Sequence, residues 1–406
     1  MPEIEIKLKH AMIISAITWM VFSIIGAIPF YLSIPYFDYI DSLFESMSAW
    51  TTTGFTLITD VDVIPKSILF WRSLEQWIGG IGVLVMVITI LSKSGLYSYY
   101  RAEGRDEKIL PSTKGTVNKI WQIYMLYTVM GICLLYLCGL NLWDSINICM
   151  CGISTGGMSV SNYSFPYNNL AKIVMIVIMY IGGVMSFSVH HKILTGKYVS
   201  DMQTLISIPI IILSSILIGY YSHISIIDAI FTVVSAMTST GYSTVDITKL
   251  GTFSLGLLIL IMMVGGAAGT TTGGIKLIRL IIILKSYYYK ILKSVLPPQS
   301  VVVEKLYNGN ILTKNVIVET YIIGTLYIVH YLLGWIIFVF LGYDGFKSLF
   351  ESVSLMANMG LSVGIVSDHL NLIGKLLGIF LMWCGRLEII PVYVLLLMPF
   401  LKRKGI

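Results

Sequence analysis

Charge is what this chain has least of. Only 12% of its 406 residues are Asp, Glu, Lys or Arg, against roughly 25% in an ordinary soluble domain. With 56% hydrophobic residues and a mean hydropathy of +0.84, there is too little polar surface to coat a water-soluble globule of this size. A soluble enzyme, a nucleic-acid binder and a disordered chain are excluded on that ground. Cysteine is sparse too. Cys133, Cys138, Cys149, Cys151 and Cys384 are odd in number and lie in or beside apolar runs, so they read as small core residues and not as a disulfide frame or metal site. The apolar runs contain no HExxH or paired-aspartate motif, which makes a membrane-embedded enzyme a remote alternative. No nucleotide-binding fingerprint is present, so any nucleotide sensing belongs to another polypeptide. No small-residue cleavage site follows residues 11–32, and that run reads as a first membrane anchor.

What is present is a series of long apolar runs. A bilayer core of about 30 Å needs about 20 apolar residues per helix. Segments near 11–32, 68–92, 119–140, 169–190, 203–222, 252–284, 317–342 and 371–400 meet this. The reading is an all-α polytopic membrane protein with eight spans. Between the members of each consecutive pair lies a shorter stretch, too short to cross, which fits a re-entrant segment buried in protein or lining a cavity.

These four short stretches resemble one another. They read DSLFESMSAWTTTGFT from Asp41, DSINICMCGISTGGMS from Asp144, DAIFTVVSAMTSTGYS from Asp228 and KSLFESVSLMANMGLS from Lys347. Aligned without gaps, they place Gly54, Gly157, Gly241 and Gly360 in register, each followed two residues later by a hydroxyl (Thr56, Ser159, Ser243, Ser362). An internal fourfold repeat explains this better than shared composition. The repeats are 1–100 (pore loop 41–56), 101–198 (pore loop 144–159), 199–300 (pore loop 228–243, broken helix 252–290) and 301–406 (cytoplasmic hairpin 301–312, pore loop 347–362). A second element recurs downstream: Gly79–Gly80, Gly182–Gly183 and Gly265–Gly266, whose second glycine lies 25 or 26 residues after the loop glycine. In the fourth repeat that place holds Gly385–Arg386. Gly80, Gly183 and Gly266 would clear one level of a central pore, and Arg386 would project a cation there.

Most Lys and Arg fall at the termini and between repeats. Lys66, Arg72, Lys172, Lys249, Lys347 and Lys375 lie on the other side, and Lys276, Arg279 and Arg386 lie within or at the ends of spans. The positive-inside rule puts both termini in the cytoplasm, with the short segments entering from outside. There Asp38, Asp41, Asp60, Asp62, Asp144, Asp228, Asp246, Asp344 and Asp368 form an acidic mouth that concentrates cations.

Four short helices followed by Ser/Thr/Gly turns can converge only around a central axis, as four pseudo-symmetric helix–pore-helix/loop–helix repeats. Glycine admits the positive φ and close approach such turns need. Their carbonyls can then replace the hydration shell of a monovalent ion, helped by the negative ends of the short helices. TTGF, TGGM, STGY and NMGL contain no carboxylate, which disfavours calcium and magnesium. The alternative is turn punctuation with no ion.

TTTGFT, STGGMS, TSTGYS and ANMGLS, with WRSLEQWIGGIGVLV (Trp71–Val85), GGAAGTTTGGIKLIR (Gly265–Arg279) and CGRLEIIP (Cys384–Pro391), resemble the pore-forming membrane subunit of the Trk/Ktr/HKT superfamily of potassium transporters. The resemblance covers nearly the whole chain. It implies potassium uptake across the cell membrane, with no cofactor in this chain and the potassium ion as transported substrate. It further implies a homodimer in the lipid bilayer, with a cytosolic nucleotide-binding regulatory subunit and no nucleic acid. The filter maps onto Thr52, Thr53, Gly54 and Phe55; Thr155, Gly156, Gly157 and Met158; Ser239, Thr240, Gly241 and Tyr242; and Asn358, Met359, Gly360 and Leu361. Glycine in all four loops goes with potassium in that superfamily. A sodium-permeable or H+/Na+-coupled symporter of the same architecture is the alternative.

The sixth span carries Gly265, Gly266, Gly269, Thr270, Thr271, Thr272, Gly273 and Gly274, poor helix interior that reads as a break or as a kinked, closely packed helix. The resemblance makes it a gate below the filter, together with Arg386. An intramembrane arginine costs about 2.5–3.5 kcal/mol on insertion scales. It faces a cavity, or it pairs with Glu388, Glu319 or Glu75. Arg72 and Glu75 read as a local helix pair, and His190–His191 as interfacial residues. Val301–Leu312, around Tyr307–Asn308–Gly309, reads as a hairpin that with loop 101–117 offers docking surfaces for a cytosolic partner.

Overall fold

The structure, a computed structural model, describes residues 8–82, 112–197, 201–297, 299–300, 302–306 and 311–403. Among these, the chain is almost entirely α-helical. Four helices are long and apolar enough to cross a membrane: α1 (Leu8–Ser33), α4 (Thr113–Leu137), α8 (Met202–Ser222) and α12 (Lys314–Phe340). Their polarity is inverted relative to a soluble helix. On α1, Ile14, Ile17, Val21, Ile24 and Ile28 are exposed while Ser15, Trp19 and Ser23 are buried. On α12, Ile322, Val329 and Ile336 face out while Thr320, Tyr327 and His330 face in. In lipid an apolar outer face costs nothing, so small and polar residues are free to make the interhelical contacts.

Each long helix is followed by a helix of 12 residues: α2 (Tyr39–Trp50), α5 (Leu142–Ile153), α9 (Ile226–Met237) and α13 (Gly345–Met356). All four start on a polar cap. Asp38, Asn141, Ser225 and Asp344 each accept a hydrogen bond from the backbone N–H three residues on, an arrangement worth about 1 kcal/mol per helix. A further helix descends after each: α3 (Lys66–Ile81), α6 (Asn169–Gly183), α10 (Thr252–Val264) and α14 (Leu372–Arg386). Each long helix packs on its own short helix. Each descending helix packs on its own short helix and also on the next one along the chain: α3 on α5, α6 on α9, α10 on α13, and α14 back on α2. That last contact closes the four units into a ring.

Among the described residues the fourth, sixth and eighth runs are each interrupted. Only the sixth run was expected to break, but the fourth and eighth break as well. After Gly183 the chain turns by 109° into α7 (Phe187–Leu194), and after Arg386 by 113° into α15 (Ile390–Arg403). The runs 169–190 and 371–400 are therefore each two helices joined at a sharp bend. At the fourth, Ser186 caps α7 by accepting from Val189 N–H. At the eighth, Glu388 and Ile389 take positive φ of 53° and 72°, a conformation a β-branched residue adopts only under constraint. α3 ends at Ile81 with Gly82 at φ 102°, and the rest of the run 68–92 lies outside the described residues. In the sixth run α10 stops at Val264, the loop 265–276 follows, and α11 (Leu277–Val295) resumes.

The segment 301–312 carries an isolated antiparallel bridge, Lys305 to Ile311, and Leu312 N–H donates to Glu304 O at 2.9 Å. Its turn, Tyr307–Asn308–Gly309, lies outside the described residues. So does loop 101–117 as far as residue 111, and from Ser112 the chain caps and enters α4. His190 is buried, with its ring between Tyr127 Oη (3.1 Å) and Ile181 O (3.0 Å).

Gly79, Gly182 and Gly385 each rest on the carbonyl that ends their own short helix: Trp50, Ile153 and Met356. A Cβ at any of the three would overlap that oxygen. Gly182→Ala is expected to destabilise the chain by about 1–3 kcal/mol, the usual range for overpacking. Gly345→Ala, where a Cβ meets nothing within 4 Å, should stay within about 0.5 kcal/mol. Thermal unfolding in detergent measures both.

Candidate functional site

At the end of each short helix the backbone reverses in the same way. Thr52, Thr155, Ser239 and Asn358 have φ of 55°, 57°, 54° and 51°, and two residues later Gly54, Gly157, Gly241 and Gly360 have φ of 91°, 70°, 83° and 80°. The residue between donates its N–H back into the helix: Thr53 to Ser48 O, Gly156 to Cys151 O, Thr240 to Ser235 O and Met359 to Ser354 O, at 2.8–3.0 Å. A left-handed residue other than glycine costs about 1–2 kcal/mol. Four in register mean that the surrounding packing enforces the turn.

The four turns meet edge to edge. A Cβ built on Gly54 would overlap Gly156 O; on Gly157, Thr240 O; on Gly241, Met359 O; and on Gly360, Thr53 O. The contacts run round the ring once and close, so each glycine leaves room for the preceding carbonyl of the next loop. All four glycines line one cup of about 340 Å³, together with Thr56, Ser159, Ser243 and Ser362. Asp246 also lines it. The Thr248 hydroxyl and Lys249 hold that carboxyl below its usual range, and Lys249 pairs with it at 3.1 Å. Asp41 and Asp228 are likewise paired, with Lys375 and Lys172. Among the described residues no group of three His, Cys, Asp or Glu is placed to hold a metal ion. The oxygens at the four contacts between turns belong to the main chain.

Side chains that were not picked out beforehand brace the turns from behind. Glu45, fully buried on α2, accepts from the Thr56 hydroxyl (2.9 Å) and Leu57 N–H (3.1 Å), and its Oε1 lies 3.0 Å from Arg72 Nε. Arg72 thus reaches across to α2, and the expected local pair with Glu75 does not form. Glu75 takes the Ser46 hydroxyl at 3.2 Å. Glu351 occupies the matching place on α13, accepting from Ser362 Oγ (2.6 Å), Val363 N–H (2.9 Å) and Val366 N–H (2.8 Å). In the second and third units Ile148 and Thr232 stand at that position. Their turns are held across the ring instead: Gln76 bonds Gly156 and Met158, Tyr242 Oη donates to Met158 O at 3.1 Å, and Ser243 N–H donates to Ser164 Oγ at 3.0 Å. The repeated Phe-Glu-Ser in the first and fourth stretches was the available signal, because a carboxylate in an apolar run seldom lacks a task.

Beneath the turns the loop 265–276 is tied to three units. Thr271 Oγ1 lies 2.9 Å from Thr155 Oγ1, Ala267 N–H donates to Gly183 O at 3.0 Å, and Ala268 N–H donates to Gln203 Oε1 at 2.9 Å. Gly273 lies against Ala357 O. Arg386 completes the closure. Its Nη1 donates to Thr271 O (2.6 Å) and Thr52 Oγ1 (3.1 Å), its Nη2 donates to Gly79 O and Gly80 O, and the guanidinium lies 5.2 Å from the Trp19 ring. Of the expected acids, Glu388 pairs with Arg279. Gly80 and Gly183 do not clear an open level either. They press on Ser154 and Thr238 of the following unit, and Gly266 presses on Gly183 O and Thr272. Beside this layer Arg386, Lys276, Thr270, Thr272 and Trp19 line a narrow pocket of about 20 Å³, room for about one water.

The sequence profile of the TrkH family, described as cation transport protein, matches residues 1–207 and 198–401. An uncharacterised cation transporter of Methanocaldococcus jannaschii is 52% identical over 393 residues, covering 96% of this chain and 83% of that protein. The Trk system potassium uptake protein TrkH of Escherichia coli is 29% identical over 416 aligned positions, 96% of this chain and 86% of that one. The crystal structure of the potassium transporter TrkH from Vibrio parahaemolyticus superposes with a TM-score of 0.82 at 25% identity, covering 97% of this chain and 86% of the other. These relatives are transporters and not enzymes. A multi-pass helical chain with this profile across its length belongs to the TrkH family of cation transport proteins.

Proposed function

We propose that the chain is the pore-forming subunit of a potassium uptake system, with the filter at the four turns and the gate at residues 265–274 plus Arg386. The observation that carries this reading is the closed cycle of glycine–carbonyl contacts between Gly54, Gly157, Gly241 and Gly360 and their neighbours. A ring of carbonyls without fixed negative charge suits a weakly hydrated monovalent ion. The names of the relatives support potassium as that ion. The units 1–100, 101–198, 199–300 and 301–406 are then four quarters of one pore, with both termini cytoplasmic. A homodimer and a cytosolic nucleotide-binding subunit complete the proposed assembly.

Arg386 is the electrostatic half of the gate. A guanidinium about 5 Å below an ion costs that ion about 3 kcal/mol at an effective dielectric of 20. The bonds from Thr271 to Thr155 and from Arg386 to Thr271 join loop and arginine into one plug, so release of either loosens the other.

Ion-selective flux from the purified chain in liposomes tests the reading: potassium should exchange and sodium should be disfavoured, and an equal flux of both would overturn it. Arg386→Ala should raise resting potassium flux about tenfold or more; a folded variant with unchanged flux would remove the arginine from the gate. Gly54→Ser adds a side chain where φ is 91° and the Gly156 carbonyl already sits. It should shift the mixed-ion reversal potential toward sodium, and an unmoved potential would count against the filter assignment.

A further inference from the structure

One turn differs from the other three at a single position. Just before the ring glycine the first, third and fourth turns carry side chains, Thr53, Thr240 and Met359, whereas the second carries Gly156. The missing side chain is replaced from outside. Gln76, on α3 of the preceding unit, is fully buried, and its carboxamide oxygen and nitrogen lie 2.5 and 2.7 Å from where a Gly156 Cβ would be. Its Nε2 donates to Gly156 O at 2.7 Å and its Oε1 accepts from Met158 N–H at 3.1 Å. The amide thus bonds one residue's carbonyl and the N–H two residues on, as a neighbouring β-strand would.

Gly156 O is also one of the four ring carbonyls, the one against which Gly54 rests. Among the described residues the other three, Thr53 O, Thr240 O and Met359 O, accept no hydrogen bond. Without Gln76 the second turn would have two successive glycines and no side chain to anchor its middle carbonyl, making it the most compliant quarter of the ring. A compliant ring contracts on a small ion as readily as it holds a large one.

We propose that Gln76 is a specificity-determining residue. It pins the Gly156 carbonyl at the distance and tilt that suit potassium, and it lowers that carbonyl's freedom to close on sodium. The inference rests on the filter reading above. Gln76 acts as a positioning residue, through the Gly156 backbone and not by touching the ion.

The test is the potassium-to-sodium permeability ratio of liposome-reconstituted variants, measured beside their size-exclusion profile and unfolding temperature. Gln76→Glu keeps the shape and the acceptor for Met158 N–H but removes the donor to Gly156 O. Gln76→Leu fills the space without either bond. Both should lower the ratio about three- to tenfold, the population change expected for one lost hydrogen bond. The double variant Gln76→Ala with Gly156→Thr gives the second turn the side chain its three counterparts have, and should recover most of the ratio. Folded Glu and Leu variants that keep the wild-type ratio would reduce Gln76 to packing and overturn the inference while leaving the filter intact. A ratio near one in the unaltered chain would overturn the filter reading, and this inference with it. If the Leu variant does not fold, the isosteric Glu variant decides alone.

Discussion

Four contacts between a glycine and a neighbour's carbonyl hold the centre of this molecule, and the rest of the architecture follows from keeping them. A main-chain oxygen can approach another turn this closely only if no Cβ stands in the way, which fixes Gly54, Gly157, Gly241 and Gly360. Bringing the turns together in turn fixes the direction of the short helices, because their C-terminal ends must all reach the axis. The descending helices then wedge between successive units, with glycine where they cross: Gly79, Gly182 and Gly385 against their own short helix, Gly80 and Gly183 against the next unit. Glycine here is not a sign of looseness. It marks the places where the packing is tightest.

Buried charge is arranged to serve the same centre. Glu45 and Arg72 are removed from water as a pair, and Glu351 is hydrogen-bonded by three donors from the loop it holds. A buried ion pair contributes little net stability over a well-packed apolar pair. What these groups supply is geometry: each fixes the chain just past a ring glycine. Arg386 differs, since it donates to carbonyls and a hydroxyl of two other units, the first and the third. It joins units in place of bracing one.

Much of this was legible in the sequence, because it is periodic. Apolar runs of bilayer length and four stretches in ungapped register need only counting, and they led to the family and the helical membrane fold. The broken helices were harder to read. Gly182–Gly183 looks like ordinary close packing in a membrane helix, and only the Ser186 cap, four residues past the first glycine, marks a new start. Nothing in Glu388–Ile389 announces positive φ, a conformation local preference opposes. Gln76 and Glu45 escaped notice for a different reason. Their partners lie 80 and 11 residues away in sequence, and side-chain bonds to distant backbone leave no local pattern. Arg72 was assigned to Glu75 because helical neighbours are visible in a sequence, while the facing helix is not.

Building the ring from one polypeptide has a consequence for dosage. An assembly of four identical chains must repeat every substitution at each corner, so an arginine beneath the axis would come as a quartet whose mutual repulsion no carbonyl set could absorb. Here Arg386 stands once, with Gly80, Gly183 and Gly266 at the corresponding corners. A single covalent strand can therefore carry one arginine at one corner only, and each quarter is free to diverge without dragging the other three along.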